Sequence, residues 1–416
     1  MKHAPITLQD GAEATPDQTL PSVRVPHLTV TAFCLTATTN GAITRASGDR
    51  RLTRVKMQIK KGSVEEARRM FETEQTPSLL IVEIAVSGDT LLEQLDSLAE
   101  VCDPKTKVVI VGVENDIQLY RTLMERGISE YLVGAITPLT YVAMIQRLFG
   151  QDSETKLGKV YAFVGAKGGV GASTLAQNVA WTIAEEQSSP TVLLDLDFRF
   201  GSAAINLDLK PMTGLEKYVS DPEKLDAALL DRLTVQRGNY LSVLPGFDDV
   251  LCDIDPAPDA IERLIEIARA SFPHVVVDLP HDWSAASRDT LTSADHVILV
   301  TAPDLSNLRN SLALTERLRA LRPNDAPPMV ILNACRMPKR KEIAAGKFAT
   351  SLGIETCSTI VFDPATFGAA SVKGQTIREQ SPRGKAQKSI RRIVHNLAGK
   401  TNKRPRSWLR KHLGLG

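Results

Sequence analysis

Residues 166–174 have the composition of a phosphate-binding loop, but they lack its usual lysine. The segment reads AKGGVGAST and follows a short apolar run. In the general pattern, G-x-x-x-x-G-K-[ST], the lysine contacts the outer phosphates and the hydroxyl group binds Mg²⁺. Here Ala172 takes the lysine position, Ser173 is retained, and a lysine occurs earlier, as Lys167. Taken alone, the segment could also be a glycine turn in an ordinary strand–helix unit.

The backbone of this loop can bind phosphate without the missing lysine. Glycine permits the tight curl of such a loop, successive amides then converge on an anion, and the following helix adds its N-terminal donors. Because position 172 carries no ammonium group, we expect nucleotide to bind and γ-phosphate hydrolysis to be slow or weak. The predicted nucleotide site consists of Gly168, Gly169, Val170, Gly171, Ala172, Ser173 and Thr174.

Two apolar runs downstream of the loop end in aspartates. The first leads into Asp195 and Asp197, and the second leads to Asp278. Continuous apolar runs are typical of parallel strands that are covered on both faces, and α/β folds carry their chemistry at the carboxyl ends of such strands. A single aspartate could equally be a helix cap. Two such strands in this order favour a functional interpretation, in which Asp278 and Ser173 act on Mg²⁺.

A short polar segment follows the second of these runs. It contains His281, Asp282 and Trp283. These residues could belong to a switch loop next to the nucleotide. Because Asp282 precedes a helix-like run, a capped turn is the favoured interpretation.

Together the loop and the two acidic runs resemble the ParA/MinD group of P-loop ATPases. The motifs KGGVGAST, LLDLDFRFG and VVVDLP carry the resemblance, which covers residues 157 to about 398. It implies that Lys167 is the signature lysine that reaches the nucleotide of a partner subunit. It also implies that Asp195 and Asp197 form the first switch, where an aspartate positions the attacking water. Asp278 matches the second switch.

The same resemblance places the base of the nucleotide. Asn333 matches the strand whose asparagine reads the adenine edge, and Asp363 and Pro364 match the loop that flanks the base. ATP and Mg²⁺ are therefore the implied cofactors, and an ATP-dependent homodimer is the implied assembly. The departure at Ala172 bears on hydrolysis and not on the fold, so at most a weak ATPase activity is expected.

Composition sets the broad class of the protein. A chain of 416 residues is long for one hydrophobic core and predicts two domains. No run of eighteen apolar residues occurs, so no membrane-spanning helix is expected, and the N-terminus lacks the apolar centre of a signal peptide. Five widely spaced cysteines without a C-x-x-C argue against a metal or disulfide framework and favour a reducing cytosol.

The first part of the chain predicts a domain of its own. Residues 1–27 are rich in Pro, Thr and Asp without periodicity, and we expect them to be disordered. Residues 28–150 alternate between apolar runs and helical segments, which predicts a five-stranded parallel sheet. The predicted fold class is therefore α/β, with two doubly wound parallel-sheet domains. They are a flavodoxin-like receiver domain over residues 28–150 and a P-loop ATPase domain over residues 157–399.

Residues 28–150 resemble a response-regulator receiver domain that has lost its chemistry. Glu83, in PSLLIVEI, takes the position of the phosphorylated aspartate. The acid pair expected after the first strand is absent, and Gly134 stands where a lysine is expected. Because a fold can persist without its chemistry, we predict a docking or dimerising module and not a phosphoacceptor.

A degenerate receiver domain followed by a ParA/MinD-like ATPase resembles the CpaE/TadZ family, which is associated with Flp/Tad pilus assembly in bacteria. Alanine at position 172 in KGGVGAST and the motif EYLVGAITPL carry this resemblance. It implies a cytoplasmic localisation and assembly factor, peripheral at the inner membrane or cell pole, with pilus or secretion proteins as partners. Two alternatives stay open, namely a ParA-like DNA- or cargo-partitioning ATPase and a catalytically dead regulatory scaffold.

The net charge of +2 is unevenly distributed, because no Asp or Glu follows Glu379. Residues 400–416 form a basic tail with one Trp, which could lie on an anionic membrane surface or be solvated. DNA is a less favoured partner, because a partitioning ATPase does not need a degenerate receiver. Residues 386–398 predict a last helix packed on the sheet by an apolar stripe of Ile390, Ile393, Val394 and Leu397.

Overall fold

The computed structural model describes residues 25–85, 88–150, 157–210, 215, 218, 222–246, 256–355 and 357–398. The basic tail and nearly all of the predicted disordered N-terminus therefore lie outside the described residues. The chain divides into two compact units: Met1–Ser153 with Pro323–Ala326, and Glu154–Arg322 with Pro327–Gly416. Among the described residues, no helix has the length and apolar character needed to span a bilayer.

The first unit contains a five-stranded parallel sheet. Its strands are β1 (Leu28–Cys34), β2 (Val55–Lys61), β3 (Leu79–Glu83), β4 (Lys107–Gly112) and β5 (Glu130–Val133). Its helices are α1 (Ala37–Ser47), α2 (Val64–Phe71), α3 (Gly88–Ala99), α4 (Ile117–Glu125) and α5 (Pro138–Phe149). The strand order β2-β1-β3-β4-β5 is the flavodoxin-like order, which confirms the prediction for this unit.

Local signals explain where these helices begin and end. At the start of α2 the carboxylate of Glu66 accepts from the amide and the hydroxyl of Ser63, each at 2.7 Å. Gly127 follows α4 with a φ of 87°, the left-handed conformation that commonly terminates helices. Strand β3 is buried along its whole length, because it lies in the middle of the sheet with helices on both faces.

The second unit contains an eight-stranded sheet in the order β13-β12-β11-β6-β10-β7-β9-β8. Its strands are β6 (Lys159–Gly165), β7 (Thr191–Asp195), β8 (Val235–Arg237), β9 (Leu241–Leu244), β10 (His274–Asp278), β11 (His296–Thr301), β12 (Met329–Cys335) and β13 (Ser358–Val361). The strand pairs are parallel except for β8 with β9, an antiparallel edge that the sequence analysis did not predict.

Helices cover both faces of this sheet. They are α6 (Ala172–Trp181), α7 (Ala203–Asn206), α8 (Ala227–Leu233), α9 (Pro258–Ser271), α10 (Ala285–Ser293), α11 (Leu305–Leu321), α12 (Ala345–Leu352), α13 (Pro364–Val372), α14 (Ile377–Gln380) and α15 (Lys385–Ala398). The predicted apolar stripe of α15 is buried in the same apolar cluster as α6. A π-helical turn, Thr182–Glu186, continues α6.

The position of β6 decides where the chemistry of this unit lies. β6 pairs with β10 on one side and with β11 on the other, and β10 pairs in turn with β7. Because parallel strands end at the same edge of a sheet, the loop after β6 lies beside the ends of β7 and β10. The phosphate loop and the predicted aspartates are thus brought together.

Candidate functional site

The loop between β6 and α6 curls as its glycines predict. Gly169 and Gly171 have φ angles of 78° and 87°, a left-handed conformation that costs glycine little. A Cβ atom at Gly171 would lie 2.6 Å from Nδ2 of Asn333, so this position also requires glycine for space. Helix α6 begins at Ala172, so its first amides continue directly from the loop.

Ala172, at the usual lysine position, and Lys167, the predicted signature lysine, differ in their exposure to solvent. Ala172 is half-buried and packs against the apolar cluster that contains α6. Lys167 is exposed. Burial alone would raise the pKa of Asp304, but hydrogen bonds at the start of α11 and the charge of Lys167 hold it below its ordinary value. The loop therefore carries one solvent-facing cation and none at its base.

Asp195 and Asp278 end neighbouring strands and are paired in register. Their side chains are 0% and 1% exposed. Burial is the main cause that raises the pKa of Asp195 to about 7. Burial also raises the pKa of Asp278 well above its ordinary range, and the neighbouring charge of Asp195 adds to the effect. Lack of solvent thus disfavours the ionised form of both carboxyl groups, and a neighbouring charge adds to this effect, that of Asp197 at Asp195 and that of Asp195 at Asp278.

The two acids differ in their hydrogen bonds. Asp195 accepts from the backbone amides of Ala203 at 3.0 Å and Asp197 at 3.3 Å. Among the described residues, no donor bonds either oxygen of Asp278 with good geometry, although the hydroxyl of Ser173 is near enough to favour its ionised form. Carboxylate and hydroxyl oxygens are the ligands that Mg²⁺ prefers. Ser173 and Asp278 therefore fit a magnesium site next to the loop.

Asp197 lies in the loop after β7 and is half-buried. Its carboxylate accepts from the amide of Phe200 at 3.2 Å. Burial, followed by the charge of Asp282, raises its pKa. The loop turns closely over the neighbouring acid, because a Cβ atom at Gly201 would lie 2.5 Å from Oδ2 of Asp195. Asp197 thus remains partly accessible to water at the edge of the site, whereas Asp195 holds the loop from beneath.

Three side chains from outside the loop bind carbonyl oxygens at its two ends. The donor–acceptor pairs are His281 Nδ1 with Gly165, Asn310 Nδ2 with Ala166, and Asn333 Nδ2 with Val170, at 3.0, 2.9 and 2.8 Å. Sequence analysis missed Asn310 entirely, because a single polar residue on a helix carries no local signal for such a contact. It placed Asn333 at the base of the nucleotide, a role that stays a prediction.

The segment after β10 is a turn, as favoured from the sequence. Oδ1 of Asp282 accepts from the amide of Ser284 at 3.2 Å and from the hydroxyl of Ser287, immediately before α10. His281, one residue earlier, is nevertheless directed at the phosphate loop. A role of this segment as a switch loop next to the nucleotide stays a prediction.

The residues predicted to flank the base lie at the start of α13. Asp363 accepts from the amide of Thr366 at 3.1 Å and caps the helix, and Pro364 is its first residue. A cavity of about 310 Å³ adjoins the first turn of α6 at Thr174. Asn333, Asp363 and Pro364 do not line this cavity. Its walls include Thr174, Gln177, Asn206, Phe367 and Ser371.

Comparison with known proteins decides the family. No family model matches the chain. A solved pilus assembly protein, CpaE from Caulobacter crescentus, is 43% identical to it, covering 31% of this chain and 98% of the Caulobacter chain, with a TM-score of 0.30. The chain belongs to the CpaE family of pilus assembly proteins. This assignment rests on the sequence identity, which extends over nearly the whole Caulobacter chain, and not on the TM-score.

Other similar proteins connect this CpaE-family chain with MinD. The septum site-determining protein MinD of Pyrococcus horikoshii, solved in complex with Mg-ADP, is 19% identical over 59% of this chain and all of its own, with a TM-score of 0.51. MinD of Synechocystis is 28% identical over 160 residues, which are 37% of this chain. The chain spans only 57% of the length of that relative. The second unit thus has the ParA/MinD-type fold.

Proposed function

We propose that this protein is an ATP-binding pilus assembly factor that forms a nucleotide-dependent dimer and hydrolyses ATP slowly. One observation carries the proposal: the loop keeps a phosphate-binding backbone around Gly169 and Gly171, while Ala172 offers no charge at its base. Converging amides and the start of a helix bind phosphate, but the ammonium group that neutralises the outer phosphates is missing. We therefore expect ATP to bind to the loop without being hydrolysed quickly.

The acids of the site have distinct roles in this proposal. Ser173 and Asp278 would hold Mg²⁺, and the ion would supply positive charge that offsets the charge of the outer phosphates. Asp195 fixes the loop after β7 through the amide of Ala203. Asp197, which is half-buried and so partly exposed to solvent, orients the attacking water molecule. Burial raises the pKa of Asp278, and a cation next to its carboxyl group would counteract this by stabilising the ionised form.

Exposed apolar side chains at the same edge of the sheet support a dimer. Phe200, Trp283 and Leu305 follow three strands next to the loop, and they are 74%, 37% and 77% exposed. Apolar side chains left in water next to a binding site commonly mark an interaction surface. In the proposed dimer two such surfaces meet, and the exposed Lys167 reaches the nucleotide of the partner subunit.

The cellular role is inferred from the relatives. The Caulobacter relative is a pilus assembly protein, and we propose the same kind of role here, in an Flp/Tad-type pilus or secretion machinery. The receiver-like unit would dock to a partner or to its own copy. Peripheral attachment at the inner membrane or pole, through the basic tail of residues 400–416, stays a prediction.

Calorimetry of the full chain with ATP and Mg²⁺ tests the proposal, together with light scattering to follow dimerisation. Gly171→Ala should abolish binding, because its Cβ atom would meet Asn333 and its φ is 87°. Gly346→Ala is the matched control, since no atom lies within 4 Å of its Cβ position. A wild-type chain that gives no heat with millimolar ATP would refute the proposal and favour the dead scaffold. Salt-sensitive DNA binding that requires ATP would favour the partitioning ATPase.

A further inference from the structure

The phosphate loop is fastened at both ends by donors that it does not contain. His281 follows β10, Asn310 lies on α11, and Asn333 lies in β12. We call these three side chains the loop clamp. The loop folds tightly between them, because a Cβ atom at Gly165 would lie 3.0 Å from the carbonyl oxygen of Lys167.

The clamp determines where loop amides point. A trans peptide unit is planar, so its carbonyl and the amide of the next residue point in opposite directions. Asn310 holds the carbonyl of Ala166 and so directs the amide of Lys167 to the other side. Asn333 holds the carbonyl of Val170 and so directs the amide of Gly171.

His281 acts at the end of the strand. The amide of Ala166 already donates to the carbonyl of Val300 at 2.8 Å, so this peptide unit belongs to the sheet. Because the carbonyl of Gly165 can only accept, Nδ1 of His281 carries the proton of their hydrogen bond. Cδ2 of the ring lies 3.9 Å from the Cβ position of Gly168. His281 therefore braces the base of the loop from the segment that also contains Asp278.

We propose that the loop clamp orients the amides of Lys167 and Gly171 for the phosphates before nucleotide arrives, and so compensates for the lysine that is missing at position 172. This inference rests on the proposed function, because it concerns the same site. A loop with that lysine gains affinity from a charge. A loop without it depends on amides that need no rearrangement on binding, because each group that must be ordered weakens binding.

Calorimetry with ATP and Mg²⁺ on single variants of the full chain tests the clamp. Asn310→Ala and His281→Ala should each weaken ATP binding about tenfold, the effect of losing one hydrogen bond to an otherwise ordered loop. His281→Asn, which retains a donor, should recover part of the loss. Asn396→Ala and His395→Ala, on the exposed side of α15, are matched controls. Unchanged affinity in both clamp variants would overturn the inference.

The same substitutions in an Ala172→Lys chain test whether the loop clamp compensates for the missing lysine or only supports the structure of the loop. In an Ala172→Lys chain, Asn310→Ala and His281→Ala should cost only about two- to threefold in affinity, since the lysine then supplies binding that does not depend on the clamp. The same tenfold loss in both backgrounds would show that the clamp does not substitute for lysine.

The effect of the loop clamp on the loop can also be measured without nucleotide. This measurement tests the clamp independently of whether the protein binds ATP. Amide hydrogen exchange in the nucleotide-free chain should become faster over residues 165–174 in Asn310→Ala and His281→Ala. Exchange in α9 should stay as in the wild type. Exchange that is unchanged over the loop would refute the clamp even if ATP binds, and faster exchange would support it even if ATP does not.

Discussion

Asp278 lies opposite Asp195 in the register of two neighbouring parallel strands, and neither side chain reaches solvent. Burial of one carboxylate is costly, and a second one beside it increases the cost. Amides of the β7 loop bond Asp195, whereas donors of good geometry are lacking around Asp278 within the described part of the chain. The two buried acids thus lower the stability of the fold, as functional sites commonly do. The proposed metal ion would offset this cost.

Asp278→Asn should make the nucleotide-free protein more stable, because it removes a buried carboxyl group that accepts no hydrogen bond of good geometry from the described residues. We expect the free energy of unfolding to rise by about 1–3 kcal/mol. Stabilisation of the wild type by ATP with Mg²⁺ should disappear in the variant. Denaturant titrations with and without these ligands measure both effects. Asp231→Asn, at an exposed site, is the control. A less stable nucleotide-free variant would show that Asp278 has a structural partner.

Asp195 should make stability depend on pH. Its pKa is about 7 in the folded protein, against an ordinary value of 3.8, so the folded state binds more protons between these values. Its contribution is therefore fully present below about pH 4 and is lost as the pH rises through about 7. Unfolding free energies at several pH values should show a downward slope in this window. The slope should be smaller in Asp195→Asn, and an equal slope in both would assign the titration to another group.

The fold and the acids of the site were accessible from sequence because both depend on local patterns. Apolar runs predicted β6, β7 and β10 and placed Asp195 and Asp278 at the ends of two such strands, which the structure shows to be neighbours. Strands β8 and β9 were missed, since strands of three and four residues carry little pattern.

The contacts of the loop could not be predicted in the same way. Asn310 contacts the loop only because α11 packs beside it, which is a tertiary relationship without a local signature. His281 was interpreted as part of a turn, and its neighbour Asp282 does close one. The side chain of His281 bonds the loop instead, because β10 and β6 are adjacent.

Ala172→Lys should increase ATP hydrolysis. The new ammonium group would stabilise charge on the outer phosphates, and we expect at least about a tenfold higher rate, or about 1.4 kcal/mol of barrier. Phosphate release at saturating ATP and Mg²⁺ measures it. Ala172→Met, an unbranched uncharged side chain, is the control. A wild-type chain that hydrolyses ATP as fast as the lysine variant would contradict the slow-turnover proposal.

Glu83 in the receiver-like unit should be a structural anion. Its carboxylate accepts from the amides of Leu35 and Thr36 at 2.7 and 2.9 Å and from the hydroxyls of Thr36 and Thr39, both at 2.7 Å. Burial would raise the pKa of Glu83, but these hydrogen bonds hold it below its ordinary value, and those from Thr36 have the largest effect. The side chain therefore joins the end of β3 to the start of α1 as a charged group.

Replacing Glu83 by Gln or Ala should destabilise the first unit by about 2–3 kcal/mol, because buried donors lose a charged acceptor. The contribution of Glu83 is present above the ordinary pKa of a glutamate and is lost as the pH falls through its lower folded pKa, so the variants should differ least from wild type in acid. Peptide-resolved amide exchange over β1 and α1 measures the effect in the full chain, with the exposed Glu125→Gln as control. Unaltered exchange in Glu83→Ala would show that the threonine hydroxyls and amides find other acceptors. Faster exchange confined to this region would show that the fixed carboxylate of Glu83 ties the end of β3 to the start of α1.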